Sequence, residues 1–410
     1  SLLEYISNYI SNDTGFGKKV YRYMISSGSI SGWEVCMMLY EQGVLEPSGS
    51  AYEGLSSGRM SAYDFMINAI TEKTITPAQL ALEPCSGSAV VADPDTGELL
   101  ALVSYPGYDN NRLSGTVDKD YYEQLRNDKA KPLINKATSL RTAPGSIFKP
   151  CSAITGLEQG VISTGESIVC TGQYTAVTPS PKCWIYPRSH GAENVSTAIR
   201  DSCNVFFYTV GHRLGMESGG TYNSTKGTDL LKNYAEQLGL ATKSGVEIYE
   251  MDPHPSDRDA VASAIGQGTH AYSAINLCRY VSTLATSGVC HDFTLVSKIT
   301  DYNGNVIRDN EPVVSNTMNV SSSTWNAVHQ GMRLVIENTA SFKGLPYQAA
   351  GKSGTAQENT NKADHITFIS YAPYDNPEVA VSVLIPNGYA SSNAAKLTSD
   401  IYKIYWGLDK

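Results

Sequence analysis

The sequence predicts an α+β fold in which a mostly antiparallel sheet is formed from both ends of the chain, flanked by helices, with an inserted helical subdomain. Two observations support this prediction. Apolar, strand-like segments occur around residues 88–104 and again over residues 348–385. The stretch between them, residues 149–287, has mainly helical spacing of apolar residues, interrupted by loops. Strands at both ends with helices between them are typical of one sheet closed by the two ends of the domain.

Residues 1–84 are predicted to form a separate region, and residues 85–410 the main domain. Residues 32–42 and 61–70 have the apolar spacing of helices. The glycine- and serine-rich residues 46–58 between them are typical of a loop. No catalytic pattern occurs in this first region, so we expect it to be a spacer or docking segment.

The main domain begins with a predicted β-hairpin, because two apolar runs flank the turn residues Asp95, Thr96 and Gly97. Three more strands are predicted in the last third of the chain. The expected strands and helices of this domain are strands 88–94, 98–104, 348–357, 365–372 and 378–385, and helices 149–160, 229–240, 273–287 and 391–405.

Ser146 and Lys149 are the first candidate reactive pair. A Pro-Gly turn leads into Ser146, and Lys149 follows three residues later. If a helix starts near Ser146, the two side chains share one face of it. A serine hydroxyl needs a base to take its proton, and a lysine can be that base when burial or a nearby cation lowers its pKa. This spacing alone is weak, because many surface helices contain it by chance.

Two later segments make the pair more specific. Ser202-Cys203-Asn204 follows an amphipathic run, and Lys352-Ser353-Gly354-Thr355 lies among small residues that allow close approach of a ligand. The order Ser-x-x-Lys, Ser-x-Asn, Lys-Ser/Thr-Gly is the motif set of serine β-lactamases and penicillin-binding proteins. Three motifs in this order indicate one site far more strongly than any of them does separately.

The chain resembles the transpeptidase domain of a class B penicillin-binding protein over roughly residues 75–410. The matching pieces are residues 89–101, 143–150, 190–191, 202–208, 266–268 and 351–357. No segment resembles a glycosyltransferase domain, which argues against class A. The resemblance implies the fold shared by penicillin-binding transpeptidases and β-lactamases, with residues 1–84 as part of the family's pedestal region.

The resemblance also implies roles for individual residues. Ser146 is expected to be the acylated nucleophile and Lys149 its general base. Ser202 would relay a proton to the leaving amine, Asn204 would bind the substrate amide, and Lys352 would keep Lys149 partly neutral. The expected substrate-binding residues are Ser353, Gly354, Thr355 and Gln357, with Thr355 holding the substrate carboxylate. Ser353 replaces a threonine that is frequent in the family, and keeps its hydroxyl. The backbone N–H groups of Ser146 and Thr355 would form the oxyanion hole.

The implied reaction is D,D-transpeptidation of peptidoglycan stem peptides, with β-lactams trapping the acyl-enzyme and no cofactor required for catalysis. A cell-wall synthesis partner such as a glycosyltransferase is expected. The expected location is the outer face of the bacterial cytoplasmic membrane, with the anchor absent from this sequence. A net charge of -9 and a pI of about 5.3 argue against a nucleic-acid partner. Two alternatives remain, a serine β-lactamase and a non-catalytic penicillin sensor or scaffold.

Cys170, Cys183, His190 and Cys203 form a candidate metal site. Three thiolates and one imidazole suit tetrahedral zinc, which would be structural, with Cys151 as a substitute ligand. The spacing is not a recognised finger pattern. The alternatives are buried free thiols or a disulfide between Cys170 and Cys183. Buried free thiols are expected for the other cysteines, Cys36, Cys85, Cys278 and Cys290.

Two further patterns do not predict functional sites. Asp364 and His365 invite a Ser-His-Asp triad with Ser146, but adjacent side chains point to opposite sides of a strand. Residues 264–270 are glycine-rich, but they lack the lysine and the strand-loop-helix setting of a phosphate-binding loop. A structural turn is expected there instead.

Overall fold

The structure is a computed structural model that describes residues 20–408, apart from residues 22, 73, 76–85 and 359–361. The chain divides into two compact units, Ser1–Leu82 and Glu83–Lys410. Within the described residues, no helix combines the length and the apolar character that a membrane span needs.

In the described part of the first unit, three short helices have defined bounds, namely α1 Gly32–Glu41, α2 Gly49–Ser56 and α3 Ala62–Thr71, and residues 23–26 are also helical. The prediction of a loop over residues 46–58 is wrong, because α2 occupies most of that stretch. Leu55, in α2, is fully buried in a small core with Phe65. Burial of this side chain outweighs the low helix propensity of the surrounding glycines and serines.

The described part of the second unit contains helices, one five-stranded sheet and three two-stranded sheets. Its helices are α4 Lys119–Asn127, α5 Lys136–Ser139, α6 Lys149–Glu158, α7 Val195–Arg200, α8 Asn204–Leu214, α9 Ser224–Gln237, α10 Ala260–Ser263, α11 Ala274–Ala285, α12 Ser322–Glu337 and α13 Ser391–Tyr405. Its strands are β1 Gly87–Ala92, β2 Leu99–Tyr105, β3 Ile168–Cys170, β4 Gly191–Glu193, β5 Val289–His291, β6 Lys298–Thr300, β7 Val306–Asp309, β8 Val314–Thr317, β9 Ala350–Ala356, β10 His365–Ala372 and β11 Val379–Ile385. Short 3-10 turns cover Asn110–Leu113, Gly145–Phe148 and Ala340–Phe342.

Five strands form one antiparallel sheet in the order β2-β1-β11-β10-β9. Val90 lies opposite Ser382, so the hairpin of β1 and β2 pairs with the last strand of the chain. The prediction of an antiparallel sheet formed from both ends of the domain is therefore confirmed. The pairs β3–β4, β5–β8 and β6–β7 were not predicted, since strands of three or four residues carry too little periodicity to be recognised.

Helices cover both faces of the sheet, while some side chains of the edge strand β2 remain exposed. On one face lies α11, whose twelve residues are all buried, and Ser382 Oγ donates to the carbonyl oxygen of Ala274 at 2.6 Å. On the other face Tyr402 of the closing helix α13 packs in a core with Phe368 of β10. Tyr280 Oη of α11 accepts the N–H of Cys151 in α6 at 2.9 Å, so α11 lies between the sheet and the helical subdomain.

Candidate active site

Ser146 lies in the 3-10 turn Gly145–Phe148, which runs directly into α6. Gly145 has a positive φ of 57°, and its N–H donates to the carbonyl oxygen of Gly266 at 3.0 Å. A Cβ on Gly145 would overlap the backbone carbonyl of Thr355. Glycine permits both this φ and this close approach, which brings Ser146 against strand β9.

Lys149 is the first residue of α6 and is fully buried. Its Nζ donates to the carbonyl oxygen of Ser202 at 2.7 Å and to Asn204 Oδ1 at 2.7 Å. The same nitrogen lies 3.0 Å from Ser202 Oγ. The amine therefore joins α6 to the segment 202–204.

Ser202 lies in the tight turn between α7 and α8 and has a positive φ of 52°. Such a φ is uncommon for a residue with a Cβ, and such strained residues cluster at functional sites. The turn is held by the Cys203 N–H, which donates to the carbonyl oxygen of Ala198 at 3.0 Å. This backbone conformation directs the side chains of Ser202 and Asn204 at Lys149.

Lys352 reaches the same hydroxyl from the sheet. It lies in β9, an edge strand, and is 1% exposed. Its Nζ donates to Ser202 Oγ at 3.3 Å and to the carbonyl oxygen of Ser353 at 3.0 Å. Two lysine amines, one from a helix and one from a strand, thus contact one serine hydroxyl.

Burial depresses the pKa values of both lysines, because removal from water disfavours the ammonium form. The pKa of Lys149 lies well below its ordinary value, first because of burial and second because of the positive charge of Lys352. Burial alone lowers the pKa of Lys352 to about 7. A neutral amine at Lys149 beside a cation at Lys352 is the protonation state that this arrangement favours.

A cavity of about 840 Å³ adjoins these groups. Six of the predicted site residues line it, namely Ser146, Ser202, Asn204, Ser353, Thr355 and Gln357. Lys149 and Lys352 lie buried below the lining. Gly354 packs instead against the nucleophile turn, since a Cβ there would overlap the side chain of Thr367 and crowd the carbonyl oxygen of Pro144. The structure thus brings the three motifs together at one cavity.

Comparison with known proteins shows the same domain. Residues 87–403 match the family model described as penicillin binding protein transpeptidase domain. The chain belongs to the penicillin-binding protein transpeptidase family. The class B resemblance is confirmed by its relatives, among them the peptidoglycan D,D-transpeptidase MrdA of Haemophilus influenzae. That match is 29% identical over 362 residues and covers 79% of this chain and 53% of that protein. The chain spans about half the length of the curated relatives it matches.

Solved structures show the same family likeness. One is Pseudomonas aeruginosa PBP2 in complex with WCK 5153, with a TM-score of 0.68, 26% identity, and coverage of 80% of this chain and 72% of that one. Another concerns coordination of polymerization and crosslinking by a peptidoglycan synthase complex. It has a TM-score of 0.70 and 26% identity, and the match covers 79% of this chain and 56% of that one. The predicted transpeptidase fold is confirmed.

The sequence reasoning missed several residues that line the cavity of this transpeptidase domain. Trp184, Arg200, Asp201 and Gln267 are among them. Arg200 forms an ion pair with Asp201, with Nη2 and Oδ2 2.6 Å apart, and Trp184 Nε1–H donates to the carbonyl oxygen of Asp201 at 3.0 Å. The available signal for Arg200 and Asp201 was their position directly before the Ser-x-Asn motif. Gln267 lies in the glycine-rich segment 266–268, which was one of the pieces matching the family, but a structural turn was expected there and no role was predicted for its side chain.

His365 is engaged away from Ser146. Its Nε2 lies 3.3 Å from a carboxylate oxygen of Glu358, and its Nδ1 accepts the backbone N–H of Asn387 at 3.2 Å. Glu358 also accepts the N–H of Ala143 at 2.9 Å. His365 and Glu358 therefore brace the segment before the nucleophile, and a Ser-His-Asp triad is not formed.

The predicted metal ligands converge beside the transpeptidase motifs. One ligand atom from each of Cys170, Cys183, His190 and Cys203 lies within 4.8 Å of all the others. The loop between β3 and β4 folds back on itself, with an isolated bridge between Gln173 and Lys182, and so brings these residues together. Cys203 is also the residue before α8, so this cluster and the catalytic motif share one turn.

The chemistry of this cysteine–histidine cluster is that of a thiolate site. The three cysteines are buried, and all seven cysteines in the described residues are free, so the alternative of a Cys170–Cys183 disulfide is wrong. Hydrogen bonds, first from Cys203 and then from backbone N–H groups including that of Asn204, lower the pKa of Cys183 to about 4. His190 Nε2 is buried without a hydrogen-bond partner in the described residues.

The cysteines outside the cysteine–histidine cluster are buried where the structure describes them. Cys36, Cys278 and Cys290 are buried free thiols, as predicted. Cys85 lies outside the described residues. Cys151 does not belong to the cysteine–histidine cluster, and burial raises the pKa of its thiol.

Proposed function

We propose that this protein is a peptidoglycan D,D-transpeptidase that works through an acyl-enzyme on Ser146. The observation that carries the proposal is the convergence of Lys149 and Lys352 on the Ser202 hydroxyl, beside the turn that holds Ser146. An enzyme that activates a serine with lysine needs a neutral amine within a polar, water-poor site. Buried amines with depressed pKa values meet that need.

In the first half-reaction, neutral Lys149 takes the proton of Ser146 Oγ, and the oxygen attacks the carbonyl carbon of the D-Ala-D-Ala bond. The N–H groups of Ser146 and Thr355 stabilise the oxyanion, an interaction commonly worth about 3–4 kcal/mol in serine hydrolases. As the C–N bond breaks, Lys149 returns the proton through Ser202 to the leaving amine. D-Ala departs and an ester on Ser146 remains.

The substrate is held along β9. As an edge strand, β9 offers unpaired backbone groups to an extended peptide. Thr355 and Ser353 hold the terminal carboxylate of the substrate, and the positive charge of Lys352 lies nearby. Asn204 binds the amide of the donor peptide. Gln357 lines the same cavity. Gly354 lets the strand approach the nucleophile turn.

β-Lactams are proposed to acylate Ser146 because their ring amide imitates the bond that is cut. Intact-mass measurement after penicillin exposure tests this: we expect one covalent adduct on the parent protein and none on Ser146→Ala, with exposed Ser163→Ala as the matched control. An adduct on Ser146→Ala would disprove the proposal. The β-lactamase alternative predicts release of the adduct within seconds, and the sensor alternative predicts an adduct without cross-linking of stem peptides.

We further propose that Cys170, Cys183, His190 and Cys203 hold a structural zinc ion. The residues fit the ion, since their ligand atoms are mutually close, buried and chemically suited to a tetrahedral site. Bound there, zinc would neutralise thiolates and pin the turn that carries Ser202. It would take no part in the proton transfers described above.

We also propose a cellular location and a partner for this protein. The first unit is part of a pedestal region, and the native protein works at the outer face of the cytoplasmic membrane. Its partner is a glycan-polymerising enzyme, in line with the likeness to a synthase complex that coordinates polymerization and crosslinking. Co-purification of the native protein with such an enzyme tests the partnership, and independent behaviour of the two proteins would contradict it.

A further inference from the structure

A second cavity of about 600 Å³ continues the catalytic cavity into the helical subdomain. The two share Ile265 and Gln267 in their linings. Tyr208, Tyr222 and Pro179 supply a largely apolar wall to the second cavity, and no residue of β9 lines it. A molecule in this second cavity therefore has a route to Ser146 that does not compete for the edge of β9.

Charge distinguishes this second cavity. Among the described residues that line it, Asp259 is the one with a formal charge. One of its oxygens accepts the N–H of Ala262 at 3.0 Å, and no other hydrogen bond or ion pair in the described part of the chain involves its carboxylate. The neighbouring Arg258 turns instead to Asp257, 3.9 Å away. An exposed carboxylate with no cationic partner thus borders an apolar groove.

In the second half-reaction of a transpeptidase an acceptor amine attacks the ester, and this step needs a binding site with a negative charge. The acceptor of a transpeptidase arrives with an amine, which is an ammonium group at neutral pH, and the cation at Lys352 repels it. The pair Arg200 and Asp201 in the catalytic cavity is neutral as a whole, so it does not offset this repulsion, and Asp364 is the other carboxylate in the described lining of that cavity. A carboxylate at the approach to the site offsets the repulsion, because its negative charge attracts the arriving ammonium group.

We propose that the second cavity is the subsite for the acceptor strand, and that Asp259 recognises the side-chain ammonium of its diamino residue. This inference rests on the proposed transpeptidase function. The ammonium pairs with Asp259, releases one proton to solvent water, and passes Gln267 as a neutral amine to reach the ester on Ser146. Its nitrogen bonds to the ester carbon, the bond from that carbon to Ser146 Oγ breaks, and the amine proton passes to Oγ through Lys149. The products are an amide cross-link and free Ser146.

Asp259→Asn is a sharp test because it removes only the charge. Asp259 caps α10 from a left-handed conformation, with a φ of 56°. Asparagine tolerates that conformation and is an equally good N-cap, so the local fold survives the change. Asp229→Asn, on the exposed surface of α9, is the matched control, and Asp364→Asn removes the carboxylate that lines the catalytic cavity.

The experiment follows partition of the Ser146 ester formed from a thioester analogue of the donor stem. Product masses give hydrolysis and aminolysis at increasing concentrations of a tripeptide with a free side-chain amine. For Asp259→Asn we expect the half-saturating acceptor concentration to rise about tenfold, the loss of one charge-assisted hydrogen bond. Aminolysis by hydroxylamine, which is mainly uncharged at neutral pH, and the rate of penicillin acylation should stay at parent values.

Three results would overturn the acceptor subsite: parent-like acceptor dependence in Asp259→Asn, an equal loss with hydroxylamine, or a loss that follows Asp364→Asn instead. Each of these leaves the proposed transpeptidase intact, because the ester still forms. If the parent protein forms no ester at all, the proposed function fails first and this subsite fails with it.

Discussion

Two buried polar clusters meet at residues 202–204, and they differ in how their polar atoms are satisfied. In the catalytic cluster, Lys149 and Lys352 find hydrogen-bond acceptors within the protein. In the cysteine–histidine cluster, thiols crowd one another and His190 Nε2 has no partner in the described residues. Buried polar groups are normally paired, so the first cluster is complete without an added group, whereas the second suits an ion.

The difference between the catalytic cluster and the cysteine–histidine cluster separates effects on activity from effects on stability. Burial of the two lysine amines lowers the free energy of unfolding. Proteins keep such destabilising groups where the groups serve catalysis. Converging thiols beside the same turn offer a way to hold that turn in its strained conformation. Changes in the first cluster should therefore affect acylation, and changes in the second should affect folding.

The largest expected effect comes from Lys149→Met. Loss of a general base should slow penicillin acylation by about 10²- to 10⁴-fold. The free energy of unfolding should change by only about 1–2 kcal/mol, since the cost of burying the amine is removed while the Ser202 carbonyl and Asn204 Oδ1 lose a donor. Stopped-flow acylation and urea denaturation measure the two quantities, with exposed Lys232→Met as control. A large loss of stability without a loss of rate would break the comparison.

The next effect is on pH dependence. Acylation should rise with pH as Lys149 loses its proton and fall above about pH 7 as Lys352 loses its own. Lys352→Met removes the neighbouring cation, so the pKa of Lys149 should increase and the rising limb should move to higher pH. The falling limb should disappear, and the maximal rate should drop by about tenfold. A pH profile that is unchanged in the variant would contradict the assignment.

Cys170→Ser should act on the other cluster. We expect zinc measured by metal analysis to fall and the free energy of unfolding to drop by about 3 kcal/mol, which is the stabilisation lost with a tightly bound ion. Acylation per folded molecule should change much less. Cys290→Ser, another buried free thiol outside the cluster, is the control. Equal destabilisation by both variants, with no zinc in either protein, would sink the metal proposal.

The smallest effect is expected for His365→Asn. Because His365 contacts Glu358 and Asn387, its loss should leave the acylation rate within about threefold of the parent value and cost only a modest amount of stability, about 1 kcal/mol. A loss of acylation comparable to that of Lys149→Met would restore histidine as a base. The same penicillin assay decides between these results.

The sequence by itself determined the reactive groups and several of the long elements, although α12, a helix of sixteen residues, was not predicted. The order of the Ser146, Ser202 and Lys352 motifs identified the family, and clear periodicity located α13 and the strands of the main sheet. Such signals are local, since each depends on the spacing of neighbouring residues. The shortest strands were not predicted because they carry too little periodicity, and α2 was missed because its glycines and serines are typical of a loop.

Only the tertiary structure decided the chemistry of the groups. Sheet pairing brings β9 beside the nucleophile turn, and the fold encloses Lys149 and Lys352, which depresses their pKa values. The same packing places the Cys170 thiol close to that of Cys203. It also connects the catalytic cavity, at Gln267, with the second cavity that Asp259 lines. A pKa, a ligand set or a groove depends on which distant segments exclude water together, and residue order along the chain does not encode that directly.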